Sequence, residues 1–446
     1  MKWFFGACVM LLLALILESG LLAYAMYVLL AMLILTRVLA RTWTGNLSAT
    51  RTCRKVTAEI GDIVPVEVTV RNTGTMPVPW VLLEDMLPRL ALQPNQRRLS
   101  VKGKRIAIRL IRAGNEAHLN YQLRCRMRGY YQIGPVIMES GDVFGLHRRY
   151  RVDAEPHYLL VYPKVVPLQG YDLASRRPIG DVRLIHRLYE DPTRTAGVRP
   201  YEHGDPLNRV HWRATAATGI LHSKIYEPST LAGATLVLDF HKESYPSRGE
   251  PHRSELAVTT AATLANAVYE MGQQIGLISN GRDTADRIRL EGWEHDHRTR
   301  LAAREKAGMR QQNERLQPLV VQTRRGMEQF QRIRETLARV ELTDGLSLAE
   351  LILESASRLP RDATVVALLG AVPAETALAL GTLNRQGYAV AAVLIAVEEA
   401  QLEKYYGRLL AEGVRDVRIL KDELGLQELC QQQVRGANTY AFQVEV

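Results

Sequence analysis

Cysteine is scarce in this chain: four residues in 446, at positions 8, 53, 125 and 430, with no C-x-x-C pair. That excludes a disulfide framework, a cysteine zinc site and a dithiol redox motif. It also suits a reducing compartment for the soluble part. No G-x-x-x-x-G-K-[ST] loop, G-x-G-x-x-G turn after a strand, H-E-x-x-H helix or G-x-S-x-G elbow occurs. The common phosphate-binding, dinucleotide-binding, zinc-hydrolase and serine-hydrolase signatures are therefore missing. Glycine (32) and proline (19) are near average, so collagen-like and low-complexity chains are excluded. Acidic residues are absent between Asp85 and Glu116, where eight basic residues occur.

What is present suggests several domains. The chain is long enough for two or three, and 47% of it is hydrophobic. Residues 3–35 are almost continuously apolar, interrupted by Glu18-Ser19-Gly20. One straight helix of that length would put Glu18 at the bilayer centre, at a cost of about 2.5–3.5 kcal/mol. Two short helices with a tight turn avoid this, so residues 1–38 read as a transmembrane helical hairpin. A cleaved signal peptide is the alternative, although no convincing A-x-A site follows residue 17 and a second apolar run begins at once. Lys2 precedes the first span, and Arg37, Arg41, Arg51, Arg54 and Lys55 follow the second. Positive-inside bias then puts the soluble domains on the cytoplasmic side of the membrane, with a multi-pass anchor. Residues 39–54 read as a basic juxtamembrane linker.

Residues 55–168 read as a basic antiparallel β-sandwich. Val64, Val66, Val68 and Val70 alternate with polar positions and Pro65, which is the pattern of a half-buried strand. Residues 51–168 hold 19 Lys and Arg against 10 Asp and Glu, so most of the net charge of +10 lies there. Under an anionic leaflet each nearby base contributes about 1 kcal/mol of attraction. Leu123, Cys125 and Met127 are expected to face inward and Arg124, Arg126 and Arg128 outward, onto solvent, phospholipid headgroups or an acidic protein. Aromatic residues are sparse in this domain, which weighs against nucleic acid; a nucleic-acid binder would lose affinity steeply with salt.

Residues 169–228 hold the most specific pattern. One stretch, begun further upstream, runs Arg128-Gly129-Tyr130-Tyr131-Gln132-Ile133-Gly134-Pro135, then Gly141-Asp142-Val143-Phe144-Gly145. The second runs Arg199-Pro200-Tyr201-Glu202-His203-Gly204-Asp205-Pro206, then Arg209-Val210-His211-Trp212-Arg213, then Leu221-His222-Ser223-Lys224. Asp205 suits a helix N-cap, Pro206 the first helical position, and Gly219 the stop. Leu207, Val210, Ala214 and Ala217 would face inward, with Arg209 and Trp212 opposite. Trp212 either packs under the 199–204 loop or forms a protein-binding spot, since Trp and Arg are enriched at hot spots. His203, Asp205 and His211 have no nucleophile at a recognisable spacing.

Residues 229–446 alternate strand and helix patterns, as in an α/β parallel sheet with helices on both faces. The strand segments are 234–238, 275–279, 364–369, 388–396 and 417–420. Residues 281–318 form a polar excursion, expected as exposed helix or without fixed structure, and helices are expected at 324–340 and 347–359. Within the excursion His295-Asp296-His297 reads as a solvated loop.

These motif stretches resemble the bacterial family called domain of unknown function fifty-eight. Val143 and Ala217 depart from its usual residues. The resemblance implies a von Willebrand factor A-like C-terminal domain and an adaptor or scaffold role beside a MoxR-type AAA+ ATPase. It marks Arg199, Tyr201, Gly204, Asp205, Arg209, Trp212 and Lys224 as the interaction surface. In A-type domains the first strand ends in Asp-x-Ser-x-Ser around a divalent cation. Here the stretch is Asp239-Phe240-His241-Lys242-Glu243, so only Asp239 is left as a weak metal ligand, or as the cap of a turn. No cofactor is implied. An envelope hydrolase or transglutaminase-like enzyme would need Cys53, Cys125 or Cys430 as its nucleophile.

Overall fold

The computed structural model describes residues 2–92, 98–142, 147–168, 189–202, 210–229, 233–291, 316–361 and 363–428. The chain divides into two compact units, residues 1–162 with 291–307, and residues 163–290 with 308–446.

The first unit opens with α1 (Lys2–Ile16) and α2 (Gly20–Gly45). Glu18 turns the chain between them with φ of +54°, and Ser19 N–H donates to the Ala14 carbonyl. Among the described residues, helix α2 alone is long and apolar enough to cross a membrane; α1 is shorter. The expected basic linker over 39–54 is instead the last turns of α2 and a strand. Thr36, Ala40, Trp43 and Thr44 recur at helical spacing and are buried, while Arg37 and Arg41 are exposed. The helix therefore continues past its apolar run because one stripe of it has a sheet to pack on.

Strands β1 (Leu47–Cys53), β2 (Thr57–Glu59), β3 (Ile63–Asn72) and β4 (Val78–Asp85) lead to a short α3 (Arg89–Leu92). Then come β5 (Leu99–Gly103), β6 (Ile106–Ile111), β7 (Glu116–Cys125), β8 (Gly129–Ile133), β9 (Val136–Gly141), β10 (Arg148–Asp153) and β11 (His157–Tyr162). Two antiparallel sheets form, in the orders β1-β3-β7-β5 and β10-β9-β4-β6. Val66 pairs with Tyr121 and Val68 with Leu119, and this face meets Val81, Leu83 and Met138 of the other sheet in one core. A third sheet, β2-β11-β8, contains one parallel pair, β2 with β11. Helix α2 packs against β9 and β10. Arg124 and Arg126 are exposed as expected, but Arg128 is buried. Strand β7 ends at Cys125, so the alternation that would have turned Arg128 outward stops first.

The first motif stretch builds this core. Tyr130 stacks on Tyr158 with ring centroids 5.3 Å apart. The Tyr131 hydroxyl donates to the carbonyls of Met127 (3.0 Å) and Arg128 (2.9 Å). Gly134 has φ of +88°, and a Cβ there would fall on the Arg51 guanidinium. Residues 143–146 of this stretch lie outside the described residues.

The second unit holds β12 (Tyr189–Pro200), α4 (Trp212–Thr218), β13 (His222–Ser229), β14 (Gly233–Leu238), α5 (His252–Glu270), β15 (Gln274–Ser279), β16 (Arg282–Asp283) and α6 (Thr284–Glu291). It continues through β17 (Leu319–Arg324), α7 (Met327–Arg339), β18 (Val340–Glu341), α8 (Leu348–Ser355) and β19 (Ala363–Leu369). It closes with α9 (Ala374–Arg385), β20 (Val390–Ile395), α10 (Glu399–Ala411), β21 (Asp416–Leu420) and α11 (Gly425–Glu428). The main sheet has the order β17-β15-β14-β19-β20-β21. Every pair is parallel except β15 with β17, so the sheet is mixed rather than wholly parallel. Strand β17 also replaces the start of the helix expected at 324, because Gly326 (φ +112°) separates it from α7. Leu236 and Leu238 face one layer with α5 and α7, whereas Val237 faces the layer of α8 and α9. Both faces of β14 are covered, which explains its unbroken apolar run. The start of the 281–318 excursion is β16 and α6; residues 292–315, with His295, Asp296 and His297, lie outside the described residues.

Candidate functional site

Strand β14 is central in its sheet, and Asp239 follows it directly. Its carboxylate is buried and accepts from Ser244 Oγ (2.5 Å), Asn280 Nδ2 (3.1 Å) and the His241 N–H (3.3 Å). Burial pushes its pKa above the ordinary carboxylate range, against the lowering effect of the bonds from Ser244 and Asn280. Asn280, just after β15, also donates to the Leu346 carbonyl (3.0 Å) and accepts from the Phe240 N–H (2.6 Å). The Tyr245 hydroxyl donates to the Asp239 carbonyl (2.8 Å). After β19, Gly370 lies so close to Ser244 and Tyr245 that a Cβ would meet the Ser244 carbonyl at 2.6 Å. Asp239 thus ties two strand ends and the 241–245 turn together. This donor set does not suit a divalent cation, which wants several hard oxygens directed at one point. Among the described residues, no group of three His, Cys, Asp or Glu could hold a metal ion.

Neither Cys53 nor Cys125 is shifted toward its thiolate. Cys125 is buried in β7, and burial, with the Asp62 carboxylate, pushes its pKa up to about 11. Burial also raises that of Cys53. Both shifts disfavour the thiolate, which is the reactive form. Cys430 lies outside the described residues.

The second motif stretch forms a hairpin. Strand β12 pairs antiparallel with β13, setting Val198 opposite Lys224, Arg199 opposite Ser223 and Pro200 opposite His222. Proline is tolerated at this strand end because its missing N–H costs the ladder little there. Ser223 is buried and also bridges Val210 on its other side. Val210 is therefore extended, and not on the inward face of a helix starting at Asp205. The helix here, α4, starts at Trp212. Its N-cap is His211, whose Nδ1 accepts the Ala214 N–H at 2.9 Å. Gly219 (φ +75°) ends it as expected. Two further bonds fasten α4 to β13: the His211 N–H to the His222 carbonyl (2.8 Å), and the His222 N–H to Thr215 Oγ1 (3.1 Å).

Thr215 thereby bonds to β13, while Trp212, in the first turn of the helix, is left in solvent. Trp212 is 70% exposed, so the described part of the preceding loop, residues 199–202, does not cover it. Val198, Ile220 and Leu221 are exposed on the same hairpin and its connection. Arg199 makes an ion pair with Glu202 (3.2 Å), and the Tyr201 N–H donates to the Leu221 carbonyl (2.8 Å). Lys224 is half-buried in β13. The structure thus gathers Arg199, Tyr201, Trp212 and Lys224 on one hairpin. His203, Gly204, Asp205 and Arg209 lie outside the described residues. Sequence reasoning missed Ile220 and the exposure of Leu221 within the motif, which two consecutive apolar residues just after Gly219 could have signalled.

Residues 197–336 match the family model described as protein of unknown function DUF58. The match covers this hairpin, Asp239 and the first part of the mixed sheet. The uncharacterized protein YeaD of Bacillus subtilis (strain 168) is 25% identical, over 53% of this chain and 57% of its own. The chain therefore spans a little over half the length of that relative. Among solved structures, the CARDB domain of a Pyrococcus furiosus protein is 15% identical over 26% of this chain and 86% of its own, with a TM-score of 0.18. Trypsin-activated alpha-2-macroglobulin from Escherichia coli is 11% identical over 37% and 9%, with a TM-score of 0.21. Overlaps this slight carry no argument.

Proposed function

We propose that this chain is a non-enzymatic, membrane-anchored adaptor that presents the β12–β13 hairpin to a protein partner. The partner implied by the family resemblance is a MoxR-type AAA+ ATPase. One observation carries the reading: Trp212 is held in water by a helix that is itself fastened at both ends. Leaving a tryptophan exposed on a rigid support forfeits burial energy, and rigid aromatic anchors are what interface hot spots use. The exposed Val198, Ile220 and Leu221 extend the apolar surface around it. Two features support a role in binding rather than in chemistry. The carboxylate of Asp239 is engaged by three protein donors, and the thiols of Cys53 and Cys125 are held away from thiolate.

The second unit fits a von Willebrand factor A-like domain in its central parallel strand and the aspartate at that strand's end. The anchor is proposed as a two-pass hairpin in a bacterial inner membrane, with α1 as the shorter pass and both soluble units cytoplasmic. The charge flanking the spans supports that orientation. Anionic lipid beneath the basic β-domain is a second proposed partner, favoured by the run of eight bases without an acid.

Affinity purification from detergent-solubilised native membranes, with a nucleotide present to hold ATPase rings together, tests the adaptor reading. An AAA+ ATPase is expected with the wild-type chain and not with Trp212→Ala. An ATPase recovered equally by both would move the interface elsewhere, and none in either would remove the adaptor reading.

A further inference from the structure

We infer that the edge strand β6 is a bilayer-docking element, with Ile106, Ile108 and Leu110 set into the interfacial region of an anionic membrane. Three observations meet there. First, these three side chains alternate along β6 and are 43%, 64% and 61% exposed. Ala107 pairs with Leu83, which faces the core, so the isoleucines and Leu110 are on the outer face of the sheet. Second, β6 closes the sheet order β10-β9-β4-β6, and among the described residues it has a strand on one side alone. A long, flat, apolar edge invites aggregation unless something covers it. Third, the cover is indicated by charge and by continuity. Lys102, Lys104 and Arg112 flank the row in sequence, all exposed, within the stretch that contains no acid. Helix α2, the span-length apolar helix, packs on β9 and β10 of this same sheet. Two strand spacings, about 10 Å, separate β6 from β9. The apolar row is therefore carried by the sheet that the membrane helix holds.

The apolar side chains would occupy the boundary between headgroups and acyl chains, with the ammonium and guanidinium groups among the phosphates. This rests on the proposed membrane anchor and on anionic lipid as a partner, and it names the element that touches that lipid.

The full chain, reconstituted in lipid nanodiscs, tests it. A polarity-sensitive fluorophore is placed at Ile108→Cys, or at Leu353→Cys as an exposed control on α8, with Cys8, Cys53 and Cys430 changed to serine. In discs rich in phosphatidylglycerol the label at 108 is expected to read an apolar setting and to be quenched by brominated lipid, and the label at 353 to read water. Lys102→Gln, Lys104→Gln and Arg112→Gln together should shift the docked-to-free ratio about a hundredfold, about fivefold per base. A label at 108 that stays in water in every lipid overturns the proposal. So does an apolar signal that rises with chains per disc and ignores lipid charge, since a second copy would then cover β6. Anionic lipid co-isolated with the chain is counted in parallel. Enrichment with a wet label overturns the apolar row alone, and absent enrichment overturns the lipid reading. Neither outcome bears on the ATPase surface around Trp212.

Discussion

The Arg51 guanidinium and the Asp85 carboxylate form an ion pair between the two sheets of the β-sandwich, with side chains 3% and 0% exposed. Arg51 comes from β1 and Asp85 from the end of β4, so the pair bridges layers. Its remaining bonds are made: Tyr121 Oη donates to Asp85 Oδ2 (2.7 Å), and Arg51 Nη1 donates to the Glu155 carbonyl (2.8 Å). Burial, reinforced by the Asp85 charge, pushes the Tyr121 phenol far up, so it remains a donor at any working pH. Removing one member of such a pair leaves the other buried and uncompensated, and Asp85→Ala should cost about 3–5 kcal/mol. Tyr121→Phe removes a hydrogen bond to a charge and should cost about 1.5–3 kcal/mol. The joint change Arg51→Met with Asp85→Leu should recover most of the single-variant loss. Denaturant melts of the purified chain in detergent measure all three. A near-neutral Asp85→Ala would mean the pair is not needed for the sandwich.

Gly134 is the backbone side of the same arrangement. Its φ of +88° disfavours an L side chain, and a Cβ would occupy the space of the Arg51 guanidinium. Gly134→Ala should therefore cost at least about 2 kcal/mol from left-handed strain and displaced charge together. Combining it with Arg51→Met should cost less than the two single changes added, because they share one space. Strict additivity in the same melts would separate the glycine from the ion pair.

The sequence makes some of this legible and not the rest, for physical reasons. The Val64–Val70 alternation could be read because burial on one face imposes a period of two, and the apolar β14 because burial on both faces favours apolar residues throughout. The extension of α2 to Gly45 could not, since Arg37 and Arg41 look like the end of a membrane span. Only the sheet under Ala40 and Trp43 shows why the helix continues. Strand β17 is partly exposed along its length and pairs antiparallel at an edge, so its pattern is weak. The second motif misled more interestingly. Asp205-Pro206 carries helix-start chemistry, but Val210 is held extended by Ser223, and a histidine, not among the usual caps, opens α4. The orientation of Trp212 depended on where that helix began. The motif residues could thus be picked from sequence, and the direction in which they point could not.

The Asp239 clamp makes a pH-dependent prediction. Burial holds its pKa above the value it has in the unfolded chain. The folded state then binds a proton more readily than the unfolded one, so stability from this group is greatest below the unfolded pKa. That stability is lost as pH rises from the ordinary carboxylate range through the raised value, and is level beyond it. Asp239→Asn has no such group, and it offers one acceptor oxygen where the carboxylate offers two. The variant should be less stable by about 1–3 kcal/mol. The gap to wild type should be widest in acid and narrow through that window. A gap that widens with rising pH would mean that the bonds from Ser244 and Asn280 outweigh burial.

Trp212 gives the prediction that separates a binding surface from a structural one. It is exposed on a short helix whose caps are His211 and Gly219, so Trp212→Ala removes no core contact. Stability should change by no more than about 0.5 kcal/mol, as for surface positions without special features. Binding should behave differently, because truncating a tryptophan anchor costs at least about 2 kcal/mol at a hot spot, or about thirtyfold in affinity. Ile220→Ser should weaken the same interaction less, as a surrounding contact. His211→Ala offers the converse case: it removes the cap that aims Trp212, should cost about 1 kcal/mol of stability, and should weaken binding through orientation. Restoring a cap with His211→Asn should return stability and affinity together. If Trp212→Ala lowers stability and partner recovery in proportion, the tryptophan supports the fold and the hairpin is not the docking surface.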